Sequence, residues 1–155
     1  MTILVVRNGV FAADSQVTCG GINYAKAHKI RRLADGSLLG ASGDTIVCAR
    51  FLDWVQALIT EGDEIKHEDM KRFPYITGLW VRPEGVFILE GNHKTGGIAK
   101  VEGEFFAEGS GYIAALAAMH AGASARRAVE ITCKLDRSCE LPVQSKRFNF
   151  VPGCG

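Results

Sequence analysis

Thr2 is the residue whose type and place in the chain could carry chemistry on their own. Once Met1 is removed, which a small second residue generally permits, the α-amine of Thr2 stands beside its own hydroxyl. That amine has an unperturbed pKa of about 7.7–8.0, close to neutral pH, where a general base works best. The amine can then take the hydroxyl proton as the oxygen attacks an amide carbonyl, which is the chemistry of a threonine nucleophile.

The first two extended segments place a carboxylate at the same end of a sheet as Thr2. TILVVR and VFAAD flank Asn8-Gly9, and Asn-Gly between two apolar runs is the strongest short signal for a β-hairpin. Counting back from a two-residue turn places Ile3 opposite Asp14. We therefore expect the Asp14 carboxylate to lie diagonal to Thr2.

A second hairpin and a helix follow in the sequence. KIRRL and SLLGAS flank Asp35-Gly36, so the first forty residues predict two antiparallel hairpins, separated by the polar, glycine-bearing stretch SQVTCGG. Apolar residues then recur at helical spacing from Val47 to Leu58, with Ser42 or Asp44 available as N-cap. The charged stretch EGDEIKHEDMKR predicts the end of this helix and a short exposed helix or loop.

The second half of the chain returns to strands before two more helices. YITGLWVR and VFILEG flank the turn Pro83-Glu84-Gly85, and AKVEGEFFAEG predicts one further extended segment. Helical patterns cover Tyr112–Ala121 and Ser124–Asp136, and PVQSKRFNF predicts a final strand. Because strands and helices are grouped rather than strictly alternating, the order favours an α+β layered architecture.

Composition and charge exclude several classes of protein. The 155 residues are 47% hydrophobic and 23% charged, which predicts one globular domain over 1–155. A net charge of +1 without a basic run argues against a nucleic-acid partner or a membrane partner. No apolar run approaches the roughly 20 residues of a membrane helix, and MTILVVRNG lacks the pattern of a signal peptide. We therefore expect a cytoplasmic protein.

The cysteines and histidines do not predict a metal site. The five cysteines are an odd number without CxxC spacing, which fits reduced thiols better than a disulfide framework. The four histidines show no ligand spacing. We therefore expect no metal and no cofactor. The residues concerned are Cys19, Cys48, Cys133, Cys139, Cys154, His28, His67, His93 and His120.

Four pieces of the sequence, taken in order, resemble the proteasome β-subunit family of N-terminal nucleophile (Ntn) hydrolases. They are a threonine at the start of the first strand, AADS at the end of the second, KIRRL followed by GASGDT, and a GSG that opens a helix. The sequence of these pieces is similar to that of HslV, and more similar to that of the short HslV-like proteins of phages and bacteria, which share FLDWV, AEGSG and AGASA. The resemblance covers nearly the whole chain and implies a four-layer αββα sandwich, with two antiparallel sheets between helix layers.

The resemblance also implies the inner residues of an active site. Thr2 matches the nucleophile, Lys29 the active-site lysine and Asp14 its partner carboxylate. The Lys29 ammonium would lower the pKa of the threonine hydroxyl and amine. Lys26 lies nearby but lacks the IRRL context. Gly43 resembles the glycine whose N–H stabilises the oxyanion, and the alternative for it is a simple turn glycine.

Two outer residues complete the set that the resemblance implies. Ser110 resembles the serine that hydrogen-bonds near the threonine amine, and it equally suits an N-cap. Asp136 resembles the aspartate that orients this serine. The family usually has Ser or Thr three residues after that aspartate, whereas here Cys139 stands in that place and Ser138 precedes it.

The function that the resemblance implies is a threonine endopeptidase subunit that hydrolyses polypeptide substrates within a proteasome-like ring. Hexameric rings, stacked in pairs, and an AAA+ unfoldase partner are expected from the family alone. If Met1 is retained, the alternative is a catalytically silent assembly or virion component with the same fold. A weaker alternative is an Ntn amidase that acts on a small substrate.

Overall fold

The computed structural model describes residues 2–19 and 22–149. Met1, whose removal the threonine chemistry requires, and Cys154 lie outside the described residues. The first hairpin pairs β1 (Ile3–Arg7) with β2 (Val10–Ala13), and Leu4 lies opposite Ala13. Asn8 and Gly9 both have positive φ, at 51° and 72°, as a two-residue hairpin turn requires. The predicted hairpin and its register are confirmed.

The first sheet has four antiparallel strands, in the order β10-β1-β2-β11. Its outer strands are β10 (Phe105–Gly109) and β11 (Gln144–Arg147), so two strands from the second half of the chain flank the first hairpin. A separate two-stranded ribbon joins β3 (Gln16–Cys19) to β4 (Ile22–Lys26). The prediction of two antiparallel hairpins in the first forty residues was therefore wrong, since the described residues of that stretch form three antiparallel strand pairs. Val17, Thr18 and Ile22 favour extended structure despite the polar neighbours.

The second sheet is a meander of five antiparallel strands in chain order. Its strands are β5 (Ile30–Arg32), β6 (Leu38–Gly43), β7 (Ile76–Arg82), β8 (Gly85–Gly91) and β9 (Gly97–Val101). The single extended segment predicted for AKVEGEFFAEG was wrong. The chain turns at 102–104, so β9 ends one sheet and β10 enters the other.

Two of the described α-helices begin at a side-chain cap, whereas the helix after Gly111 does not, so the N-cap alternative for Ser110 was wrong. α1 (Thr45–Thr60) starts after Asp44, whose carboxylate accepts the backbone N–H groups of Ile46 and Val47. α2 (Tyr112–His120) and α3 (Ala125–Leu135) confirm the two predicted helices, and Ser124 caps the second of them. The charged stretch forms a 3₁₀ helix (His67–Arg72), which is not wholly exposed, because Met70 is buried in the core.

Three apolar layers hold the elements together. Alternate residues of β1 face opposite sides, so Ile3 packs towards α2 and α3 while Leu4 packs between the sheets. The third layer lies between the five-stranded sheet and α1, around Phe51 and Trp80. At Gly40 the sheets approach closely, since a Cβ there would lie 2.6 Å from Phe11 Cζ. The four-layer αββα sandwich of α+β class is confirmed. No helix within 2–19 and 22–149 has the length and apolarity to cross a membrane.

Candidate active site

The charged centre of the site is an ion pair between Asp14 and Lys29. Asp14 follows the last residue of β2, and Lys29 precedes β5. Lys29 Nζ donates to Asp14 Oδ1 at 2.9 Å, with the two side chains 7% and 0% exposed. A buried charge of either sign needs such a partner, because desolvation would otherwise neutralise it.

The Asp14 carboxylate also fixes the backbone next to the predicted nucleophile. Its Oδ1 accepts the N–H of Ile3 at 3.0 Å, and its Oδ2 accepts the N–H of Gln16 at 3.1 Å. The N–H of Glu140 approaches Oδ2 at 3.5 Å. Because Ile3 directly follows Thr2, one carboxylate oxygen contacts both the Lys29 ammonium and the peptide unit that carries Thr2.

Thr2 is buried and held from its other side by the β10–α2 junction. Its carbonyl accepts the N–H of Ser110 at 3.1 Å, and its residue exposure is 6%. A Cβ on Gly109 would overlap the Thr2 carbonyl oxygen, and Gly109 has a φ of 108°. This position therefore requires glycine, both for its backbone conformation and for the close approach of the two chains.

A cavity of about 460 Å³ connects Thr2 with the start of α1. Thr2, Lys29 and Gly43 all line it. Gly43 ends β6 with a φ of 141°, and a Cβ there would lie 2.6 Å from the Tyr75 carbonyl oxygen. The predicted nucleophile, lysine and oxyanion glycine thus open onto one space.

Two residues of this cavity were not predicted from the sequence. Arg31 adds a second cation, which pairs with Asp53, and Cys48 contributes a thiol. Burial, with a smaller contribution from the nearby Asp44 carboxylate, raises the pKa of the Cys48 thiol to about 11. Helical spacing identified the helix that bears Cys48, but it carries no information on the cavity beside that helix.

The outer predicted residues form a hydroxyl and carboxylate cluster next to Thr2. Ser110 Oγ lies 3.5 Å from Asp136 Oδ2 and 3.1 Å from Ser138 Oγ. Ser138 donates its backbone N–H at 2.8 Å and its hydroxyl at 2.5 Å to Asp136 Oδ1. The bonds from Ser138, with a smaller one from Ser110, lower the pKa of the Asp136 carboxyl. Ser138 thus provides the hydroxyl that donates to Asp136, whereas Cys139, which stands where the family usually has Ser or Thr, is buried next to it.

All six predicted site residues therefore lie in one connected region at one end of the first sheet. Thr2, Asp14, Lys29 and Gly43 surround the cavity or support its wall, and Ser110 joins Thr2 to Asp136. Within 2–19 and 22–149, no group of three or more His, Cys, Asp or Glu side chains is arranged to hold a metal ion.

The architecture is that of a proteasome-type fold, and solved structures show the same arrangement. No protein-family model and no curated protein sequence matches the chain. Thiobacillus denitrificans BPH in complex with epoxomicin is 20% identical with a TM-score of 0.71, over 98% of this chain and 100% of that one.

Two further solved structures agree. Thiobacillus denitrificans BPH is 20% identical with a TM-score of 0.68, over 97% of this chain and 98% of that one. Eukaryotic HslV from Trypanosoma brucei is 23% identical with a TM-score of 0.70, over 94% and 98%. The chain thus has the fold of the HslV- and BPH-type proteasome-like proteins over nearly its whole length, which confirms the resemblance at the level of fold.

Proposed function

We propose that this chain is a threonine endopeptidase subunit of a proteasome-like assembly, with Thr2 as nucleophile after removal of Met1. The observation that carries the proposal is the buried Lys29–Asp14 pair, which touches the peptide unit after Thr2. The adjoining cavity, open to Thr2, offers space for a substrate chain. An ion pair in this position supplies a fixed positive charge where a hydroxyl must lose its proton.

The reaction begins when the α-amine of Thr2 takes the proton of its own hydroxyl. The Thr2 Oγ forms a bond to the substrate carbonyl carbon, and the N–H of Gly43 stabilises the resulting oxyanion. The C–N bond then breaks, and the leaving amine takes the proton from the Thr2 ammonium. Water attacks the ester that remains, again with the amine as base. The ester C–O bond breaks, the acyl product leaves as a carboxylic acid, and the ammonium returns the proton to the Thr2 oxygen.

The other site residues keep this geometry. The Lys29 ammonium favours the neutral amine and stabilises the developing alkoxide, while its ion pair with Asp14 holds it in place. The Ser110 N–H donates to the Thr2 carbonyl, and the Ser110 hydroxyl, next to Asp136, is proposed to accept a hydrogen bond from the Thr2 amine.

Self-assembly and its partners are part of the proposal. The α2–α3 layer exposes Ile113 at 68% and Leu135 at 73%, which are large apolar side chains suited to subunit contacts. We expect rings, hexameric and stacked as the family resemblance implies, in the cytoplasm, with polypeptide substrates and an AAA+ unfoldase. Native mass spectrometry of the purified chain measures the ring size.

The experiment is cleavage of fluorogenic peptide amides by wild type and by three variants. Thr2→Ala, which still permits removal of Met1, should abolish turnover, and Thr2→Ser should retain part of it because a hydroxyl remains. Lys29→Met should lower kcat by about 10²-fold or more, since it removes the fixed charge near the nucleophile. Epoxomicin, which Thiobacillus denitrificans BPH binds, is a suitable inhibitor for the wild-type assay.

The matched control is Lys26→Met, which removes an exposed lysine three positions away. Circular dichroism should accompany Lys29→Met, because that change leaves the Asp14 carboxylate buried without its cation. Turnover at the wild-type rate by a folded Thr2→Ala variant would contradict the assignment of Thr2 as the nucleophile. Equal losses in the Lys26 and Lys29 variants would contradict the proposed role of Lys29.

A further inference from the structure

The side-chain amide of Gln144 joins the two segments that carry Asp14 and Lys29. Its Nε2 donates to the carbonyl of Asp14 at 3.1 Å and to the carbonyl of Ala27 at 2.7 Å. Its Oε1 accepts the backbone N–H of Lys29 at 2.8 Å. One half-buried side chain thus bonds to the backbone of both members of the ion pair.

The partners of this amide fix its orientation. Nε2 also lies 3.2 Å from Ser15 Oγ, whose own proton is donated to the Pro142 carbonyl at 2.6 Å. Every partner of Nε2 is therefore an acceptor, while the partner of Oε1 is a donor. The side chain at position 144 must therefore be an amide, because a carboxylate would place an oxygen against the three acceptors that Nε2 now contacts.

The segment that bears Lys29 has few other regular bonds to hold it. Residues 27–29 lie between β4 and β5 and belong to neither strand. The N–H of Ala27 donates to the Ser15 carbonyl at 2.9 Å, so the segment docks on the end of β2. Gln144 supplies the adjoining bonds, because the register of β11 places it opposite Ala13, one residue before Asp14.

We propose that Gln144 is a positioning residue that holds the Lys29 backbone, and through it the Lys29 ammonium, beside Asp14 and Thr2. This inference rests on the proposed function. Gln144 acts through Lys29 and touches no reacting atom. Without its bonds, the 27–29 segment gains freedom and the ammonium spends less time next to the nucleophile.

The pH dependence of turnover distinguishes this role from general stabilisation. A nearby ammonium favours the neutral form of the Thr2 amine, so the acidic limb of the kcat/KM profile reports the position of Lys29. In Gln144→Met, which keeps the length and loses the hydrogen bonds, we expect this limb to move to higher pH. We also expect kcat to fall about tenfold, with a smaller change in KM.

A second readout does not depend on catalysis. Hydrogen exchange on peptides covering residues 27–30 should be about tenfold faster in Gln144→Met, because the Lys29 N–H loses its acceptor. Gln144→Glu is the second variant, chosen in case the methionine prevents folding. It keeps an acceptor for the Lys29 N–H but sets a carboxylate oxygen against the carbonyls of Asp14 and Ala27, so the repelled side chain should release the segment and exchange over 27–30 should again be faster.

Ser145→Ala is the matched control, since Ser145 is the next residue of β11 and its hydroxyl bonds instead to Arg126. Ser145→Ala should change neither hydrogen exchange over 27–30 nor the acidic limb of the kcat/KM profile. Unchanged exchange in both Gln144 variants would overturn the inference. Faster hydrogen exchange over 27–30 with an unchanged acidic limb of the kcat/KM profile would also overturn it, because a merely structural role gives that result. If Thr2→Ala retained turnover, the proposed function would fail separately, and exchange would still decide whether Gln144 holds Lys29.

Discussion

At the scale of single residues, the Lys29–Asp14 pair is better explained by chemistry than by stability. Removing two charges from water costs several kcal/mol per ion, and their attraction offsets this only when hydrogen bonds satisfy the remaining atoms. Here Asp14 receives backbone N–H groups from Ile3 and Gln16 in addition to the ammonium. Apolar residues would fill the same space at lower cost, so the pair indicates a site where fixed charge is needed.

The thiol in the cavity gives a prediction at this scale. Because burial raises the pKa of Cys48 to about 11, the thiol stays protonated at pH 8 and should react slowly with iodoacetamide. A hydrogen bond from Cys139 lowers the pKa of the partly exposed Cys133, which should react faster than Cys48. Peptide mapping after timed labelling measures both rates. Labelling of Cys48 as fast as that of Cys133 at pH 8 would contradict the assigned environment, and the Cys48 rate should rise as the pH approaches 11.

Sequence could predict some of these residues and not others. The position of Asp14 follows from a local turn and from the two-residue period of a strand, and both can be predicted from the amino-acid sequence. Lys29 was identified through the resemblance to a family. Gln144 gave no signal, because its role depends on the register of a strand that lies more than a hundred residues away from Asp14.

At the scale of elements, the sequence predicted those structures whose signals are local. The Asn8-Gly9 hairpin and the helix capped by Asp44 contain their own turn or cap chemistry. The division between β9 and β10 depends instead on which sheet each strand joins. That choice is made by distant partners, since β9 pairs with β8 and β10 pairs with β1.

One carboxylate of β10 gives a stability prediction. Burial raises the pKa of Glu108, and the neighbouring Glu90 carboxylate raises it further. A carboxyl whose folded pKa is raised favours the folded state below its unfolded pKa, and that benefit is lost as the pH rises through the folded value. Glu108→Gln, which is always neutral, should therefore raise Tm at pH 7 by about 1–2 °C, a small shift because solvent screens a partly exposed group.

Thermal denaturation at two pH values tests this prediction. The gain from Glu108→Gln should disappear at about pH 3, well below the unfolded pKa, where the wild-type carboxyl is protonated in both states. Glu104→Gln, at an exposed position just before β10, is the control and should leave Tm nearly unchanged. A lower Tm for Glu108→Gln at pH 7 would show that the charged form is favoured in the folded protein.

At the scale of the whole molecule, the sandwich brings strands that are distant in the sequence together around one site. β1 and β2 lie at the centre of the first sheet, and β10 and β11 close around them. The start of β1 is thereby fixed between the Asp14 carboxylate and the Ser110 backbone. Under the proposed function, these contacts would hold a threonine amino terminus in place on both sides.

The most direct measurement compares peptide cleavage by two preparations of the same chain, one beginning at Thr2 and one retaining Met1. Mass spectrometry of the amino terminus gives the fraction of each form. We predict turnover in proportion to the chains that begin at Thr2, and restored activity when a methionine aminopeptidase is added to the Met1 form. Equal turnover by a homogeneous Met1-bearing preparation would contradict the role of the Thr2 amine as base.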